Sequence, residues 1–151
     1  MKKFKGMLNE VQARYRPTNI NRFKVSSSAD VNSQIRSLWP VEIEHREAMV
    51  SVYLNQANNI VGYSVISIGS ISGTLCDVKM VFQHGLLCNA SSLILIHNHP
   101  SGSLDPSRAD LDLTKKIKEA SLIMDMPMLD HLIITRESYC SLADEGLIEC
   151  L

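Results

Sequence analysis

The run "SLILIHNHPSG", residues 92–102, constrains the fold more than any other stretch of the chain. Its apolar stem, Leu93 to Ile96, is too short for a helix. It is bounded by Ser91 and Ser92 on one side and a histidine turn on the other, so it reads as a buried central strand. Pro100 and Gly102 then turn the chain. The next stretch, "DPSRADLDLTKKIKEASLIM", reads as a helix from Ser107, with Leu111, Thr114, Ile117 and Leu122 expected to face the sheet. Asp110 and Asp112 fall in its first turns, where negative charge suits the helix dipole.

The remaining elements arrange themselves around that strand. "SSSADVNSQIRSLWP" predicts a helix capped at Ser28, with Val31, Ile35 and Leu38 at helical spacing and Pro40 as its stop. Trp39 is expected to pack that helix end onto the sheet. "AMVSVYL" and "VGYSVISI", joined by "NQANN", predict a hairpin. The stretch from Asp77 to Ala90 predicts a helix with Asp77 near its cap and Val78, Val81, Phe82 and Leu86 on one face. "LDHLIIT" predicts a strand, and "YCSLADEGLI" a short strand followed by a turn. Interleaved strands and helices give an α/β or α+β sandwich, a mixed central sheet flanked by helices. The expected division is a basic extended arm over residues 1–27, with a short strand near Val11 to Tyr15, and one domain over 28–151.

Composition narrows the class. Hydrophobic content of 45% with 21% charged residues is that of a globular protein, and 5% aromatics predicts an aliphatic core. No stretch approaches the roughly 20 apolar residues of a membrane span. The basic start lacks a following apolar run, which argues against a secretory signal and for the cytoplasm. Cys76, Cys88, Cys140 and Cys150 form no CxxC pair and read as reduced thiols; a disulfide or a thiolate zinc site is the competing reading. Residues 1–24 carry Lys2, Lys3, Lys5, Arg14, Arg16, Arg22 and Lys24 against Glu10 alone. Such an arm either touches nucleic acid weakly or solubilises and meets partners; the lack of interleaved aromatics favours the second.

His97 and His99 are separated by one residue, which puts both imidazoles on one face of an extended strand. The following helix brings Asp110 back toward them. Two imidazoles and a carboxylate with an open fourth position is the ligand count of a catalytic zinc centre. A histidine turn bonded only to backbone is the plainer alternative, and an HxH pair alone does not exclude it.

The string "HNHPSGSLDPSRAD" resembles the JAMM metalloprotease motif: HxH, seven residues, Ser, two residues, Asp. With "LDHLII" and "YCSLADEGLI" it is similar to the RadC-like branch of the JAB/MPN fold, over about residues 43–147. The resemblance implies a three-layer fold of cytidine-deaminase-like layout and a short form without the helix-hairpin-helix region of full-length relatives. It implies one zinc per chain on His97, His99 and Asp110, with Ser107 orienting a water or donating to an oxyanion. It also implies a glutamate general base on an early strand. Glu47, two residues before Met49, fits best, with Glu44 and Glu42 as rivals. Asp130 and His131 are expected to support the ligands, although neighbours in a strand face opposite ways. The family's usual arginine and acidic residue before "VF" are here Lys79 and Met80, which puts in doubt a substrate contact by the acidic residue. His45 and His84 read as surface histidines, and Asp105 and Asp112 as solvated charges.

Three functions compete. The first is a zinc hydrolase acting on an amide or isopeptide bond in a peptide or protein. The second is a nucleic-acid-associated, DNA repair-labelled protein whose metal is catalytic or vestigial. The third is a metal-free interaction module, against which the intact His-His-Asp set argues. Self-association through a strand edge is compatible with all three.

Overall fold

The structure, a computed structural model, describes residues 23–70 and 74–148. Among the described residues, three helices and five strands follow in the order α1 (Ser28–Arg36), β1 (Ala48–Leu54), β2 (Ile60–Ile68), α2 (Val78–Leu87), β3 (Ser92–Asn98), α3 (Arg108–Ile123), β4 (Met128–Ile134) and β5 (Tyr139–Ser141). The strands form one sheet in the order β2-β1-β3-β4-β5. Only β3 and β4 run parallel, joined by α3; the other pairs are antiparallel. The "LILI" strand is thus central, as its apolar run predicts, and it extends through His97 to Asn98.

Alternation along the strands sorts side chains into two cores. Met49, Tyr53, Leu93, Leu95 and Ile133 face α2 and α3, where Val81, Phe82 and Ile117 cover them. Val50, Val52, Ile94, Ile96, Leu132 and Ile134 face α1, where Val31, Ile35 and, as expected, Trp39 cover them. The result is an α/β sandwich of three layers. No helix among the described residues is long and apolar enough to cross a membrane. The expected strand near Val11 to Tyr15 lies outside the described residues.

Local chemistry explains the element ends. Asn55 Oδ1 accepts from the backbone N–H groups of Ala57 and Asn59, closing the hairpin, and Asn58 takes the left-handed conformation at φ 57°. Asp77 caps α2 by accepting from Lys79 N, as its position predicts. The cap of α1 is Ser27 rather than Ser28: Ser27 and Asp30 form a reciprocal capping box, which frees the Ser28 hydroxyl to reach Asp144 at 2.6 Å.

Two helix faces also differ from expectation. On α2, Gly85 rather than Leu86 is buried, because the helix closes onto Met126 there and leaves no room for a side chain. On α3 the buried stripe runs Thr114, Ile117, Ser121, while Leu122 is 68% exposed. Ser121 is kept inside by a polar tie: its hydroxyl accepts from Met128 N at the start of β4.

Candidate metal centre

The end of β3 carries His97 into the layer between sheet and α3. His99 N donates to Ile134 O, so the chain stays extended for one more step and His99 emerges on the same side. Gly102, at φ 82°, then turns the backbone, and the loop leads to α3, whose cap is Ser107. Asp110 is the third residue of α3. Its Oδ2 accepts from Ser107 N at 2.7 Å and from the Ser107 hydroxyl at 2.6 Å, while its own N–H donates to Ser107 Oγ. This capping box leaves Oδ1 to face His97.

Three donor atoms converge at this point. His97 Nε2 lies 3.2 Å from Asp110 Oδ1 and 2.9 Å from His99 Nε2, and His99 Nε2 lies 3.5 Å from Asp110 Oδ2. His97 is 1% exposed. His99 and Asp110 are partly buried, and among the described residues these three form a cluster with metal-holding geometry.

The hydrogen bonds behind the ligands decide which ring nitrogens carry protons. His99 Nδ1 faces Ser103 O at 2.9 Å; a carbonyl only accepts, so Nδ1 carries the hydrogen and the Nε2 of a neutral ring is a free lone pair. The same reasoning runs further behind His97. Thr114 Oγ1 donates to Asp110 O at 2.6 Å, so toward His131 Nδ1, also at 2.6 Å, the hydroxyl must accept. His131 is fully buried, and burial, reinforced by the charge of His97, holds its pKa well below the usual histidine value, so the ring is neutral. Its Nε2 therefore accepts from His97 Nδ1 at 2.8 Å, and His97 Nε2 is left bare toward Asp110. Both histidines thus present lone pairs to one carboxylate, which is the donor chemistry of a metal site.

Without an ion, protons can take its place between these atoms. Burial alone pushes the Asp110 carboxyl up, but hydrogen bonds from His97 and His99 when those rings are protonated, the charge of His97 and the Ser107 hydroxyl outweigh it and hold the group well below the carboxylate range. His99 is raised, first by its bond to Asp110, against the opposing effect of burial. Glu47 is raised by burial, with Asp110 adding to the effect and His97, His99 and a backbone hydrogen bond from Thr74 opposing it.

Glu47 borders the same cleft of about 380 Å³ as His97, His99, Ser107 and Asp110, and Met49, Leu75 and Leu113 supply an apolar wall. Its rivals lie elsewhere: Glu42 and Glu44 border a separate hollow with Arg36 and Trp39, and Glu44 pairs with Arg136 at 2.8 Å. Ser107 borders the same cleft, and its hydroxyl donates to Asp110 Oδ2, which aims the carboxylate. Asp130 is a correction. His131 supports the cluster, but its neighbour points to the α1 side, where Ser141 Oγ donates at 2.6 Å and Ala143 N at 3.0 Å. Asp130 therefore braces β5 and does not touch the ligands.

His45 is exposed as expected, whereas His84 is half-buried and bonds Ser64 Oγ at 2.6 Å. Asp112 is exposed and pairs with Arg108, and Asp105 is exposed. Met80 packs against the core and Lys79 is exposed. Cys76, Cys88 and Cys140 are free thiols, while Cys150 lies outside the described residues. Two residues escaped sequence reasoning. Thr114 read as an ordinary inward helix position, although it lies four residues from Asp110 and so on its face. Asn98, between the two histidines, carried no signal of its own.

A family model described as the RadC-like JAB domain matches residues 25–147. The chain belongs to this family. A UPF0758 protein of Flavobacterium johnsoniae is 44% identical over 139 residues, covering 91% of this chain and 60% of the relative. A UPF0758 protein of Protochlamydia amoebophila is 42% identical over 108 residues, 72% of this chain and 47% of the relative. One from Syntrophomonas wolfei is 37% identical over 126 residues, 82% of this chain and 54% of the relative. The chain therefore spans about half the length of the curated relatives it matches. This RadC-like JAB domain keeps the family's fold and carries a cluster, His97, His99 and Asp110, able to bind a metal ion.

Proposed function

We propose that this domain is a zinc-dependent hydrolase of amide or isopeptide bonds, acting on a peptide or protein. The observation that carries the reading is the pair of bare Nε2 atoms facing an ionised carboxylate, with Glu47 in the same cleft. Two imidazoles and one carboxylate suit zinc and leave room for exchangeable ligands. Iron(II) accepts the same donors in some proteins, but a carboxylate base beside the cluster suits hydrolysis better than redox chemistry. When bound, the ion supplies Lewis acidity, acidifying a water and polarising the carbonyl to be attacked.

The chain's own residues do the rest. Glu47, half-buried and raised in pKa, takes the proton of the attacking water and delivers it to the leaving amine. Ser107 keeps Asp110 aimed and ionised, and His131 with Thr114 keeps the His97 lone pair outward. Met49, Leu75 and Leu113 on the cleft wall give substrate side chains an apolar surface to meet. Free thiols at Cys76, Cys88 and Cys140 fit a reducing, cytoplasmic setting.

The test is elemental analysis of protein purified without chelators, then turnover of peptide and isopeptide libraries by wild type and E47Q. About one zinc per chain, lost in H97A and D110A, and turnover lost in E47Q are expected. A folded, metal-free wild type would remove the reading. A second reading, nucleic-acid association, rests on the basic residues 2–24 alone. Binding unaffected by salt or by deletion of residues 1–24 would defeat it.

A further inference from the structure

Asn98 lies between the two histidine ligands, is fully buried, and makes three hydrogen bonds to one short segment. Its Oδ1 accepts from Ala48 N at 2.8 Å. Its Nδ2 donates to Ile43 O at 2.7 Å and to Arg46 O at 2.8 Å. One N–H and two carbonyls fix the amide orientation, and both amide hydrogens are used. The segment it grips is irregular and leads into β1, with Glu47 flanked by two of the three gripped residues. From the other side, Glu47 N donates to Ser70 O and Gly69 N donates to Glu47 O. The backbone of Glu47 is therefore held from both flanks.

We propose that Asn98 is a positioning residue that holds the Glu47 carboxylate against the metal cluster. This rests on the reading of Glu47 as the base. β1 and β3 pair Met49 with His97, and past that pair the Asn98 side chain takes over the tie to Ala48 N. The residue that separates the ligands in sequence thus fixes the base to them in space, in one block. No side chain other than Asn or Gln combines one acceptor with two donors in a neutral planar group, and Gln is a methylene too long for this spacing. An Asp would accept from Ala48 but turn an anionic oxygen on two carbonyls.

The experiment uses the zinc-loaded chain and acetohydroxamate, a small zinc chelator whose hydroxyl proton is shared with a neighbouring carboxylate. Binding is read by calorimetry for wild type, E47Q, N98A and both double variants with N98S as the second Asn98 substitution, with zinc content and thermal unfolding measured alongside. Losing the bond to a charged partner lowers affinity about 10- to 100-fold in E47Q. The expected result is a loss of about tenfold or more in N98A and N98S with zinc content unchanged, and less than about twofold further loss when either is added to E47Q. N98S keeps a hydroxyl at the site and serves if N98A does not fold. Undiminished affinity in a folded, zinc-loaded Asn98 variant would overturn the proposal, as would an equal loss in the E47Q background. A wild type that holds zinc but ignores acetohydroxamate would instead overturn the open metal centre, and the proposal with it.

Discussion

Thr114→Val is the sharpest test of how the cluster is organised, because it touches no ligand. Valine keeps the shape of threonine and deletes the hydroxyl that stands between Asp110 O and His131 Nδ1, at 2.6 Å from each. His131 is fully buried, so its Nδ1–H would have no water to turn to. Leaving such a donor unpaired costs about 1–3 kcal/mol. The ring can avoid that cost by moving its hydrogen to Nε2, but Nε2 faces His97 Nδ1 at 2.8 Å. His97 must then carry its hydrogen on Nε2, the atom that faces Asp110 at 3.2 Å, and the ligand lone pair is gone. The metal-free chain can take this second arrangement and an incoming ion must reverse it, so the cost falls on metal binding: loss of an outer partner lowers metal affinity about 10- to 100-fold. The assay is competition with a chromophoric zinc chelator, run beside denaturant unfolding of the metal-free protein. T114V is expected to lose at least about tenfold in zinc affinity, and T114S to restore it, since serine keeps the oxygen. Zinc binding by T114V within about twofold of wild type would refute the proton arrangement, as would a T114S variant as weak as T114V.

Other outcomes follow from single contacts. Asp130→Asn removes the carboxylate that braces Ser141 and Ala143 on the far face, so unfolding should come earlier while zinc affinity in the same chelator assay stays put. Ser27→Ala and Ser107→Ala each break a capping box and should each cost about 1 kcal/mol in denaturant unfolding, but only S107A should also weaken zinc, because only that box holds a ligand. Gly85→Ala places a Cβ 2.5 Å from Met126 Sδ and 3.1 Å from Tyr53 Cε1, an overpacking worth about 1–3 kcal/mol and measurable as a lower melting temperature at unchanged zinc content. In metal-free protein, the depressed Asp110 carboxyl adds stability above its ordinary value of 3.8 that is lost as pH falls through the folded value. The raised His99 adds stability that is full below 6.5 and fades as pH rises through its folded value. Denaturation midpoints of the metal-free chain should therefore peak in mildly acidic buffer, and a D110N variant should flatten that profile.

The His97, His99 and Asp110 cluster was legible because the placement of its residues follows from local geometry. An extended strand fixes His97 and His99 on one side, and a helix N-terminus fixes Asp110 three residues from Ser107. Glu47 was legible only by resemblance; its spacing alone did not separate it from Glu42 and Glu44, which the turn before β1 sends to another hollow. The last turn of α3 misled for a different reason. Spacing from Thr114 and Ile117 points to position 121, but the apolar residue there is Leu122, and the hydroxyl tie that makes Ser121 an interior residue belongs to β4.

The choice between Asp130 and His131 lay beyond any local pattern. β4 is covered on both faces, so Leu132, Ile133 and Ile134 are all buried and no polar-apolar alternation marks which neighbour faces the cluster. The parallel register with β3 decides it, pairing His97 with Ile133 and Leu95 with His131, so that His131 shares the His97 side. A slip of one residue would put Asp130 behind His97 instead. A carboxylate there could only accept from His97 Nδ1, as neutral His131 does, but it would add a buried negative charge beside Asp110. The register therefore places a neutral acceptor behind His97 and sends the carboxylate to the far face, where Ser141, Ala143 N and His131 N meet it. Fixing the strand pairing and keeping the cluster's charge low are one and the same structural choice.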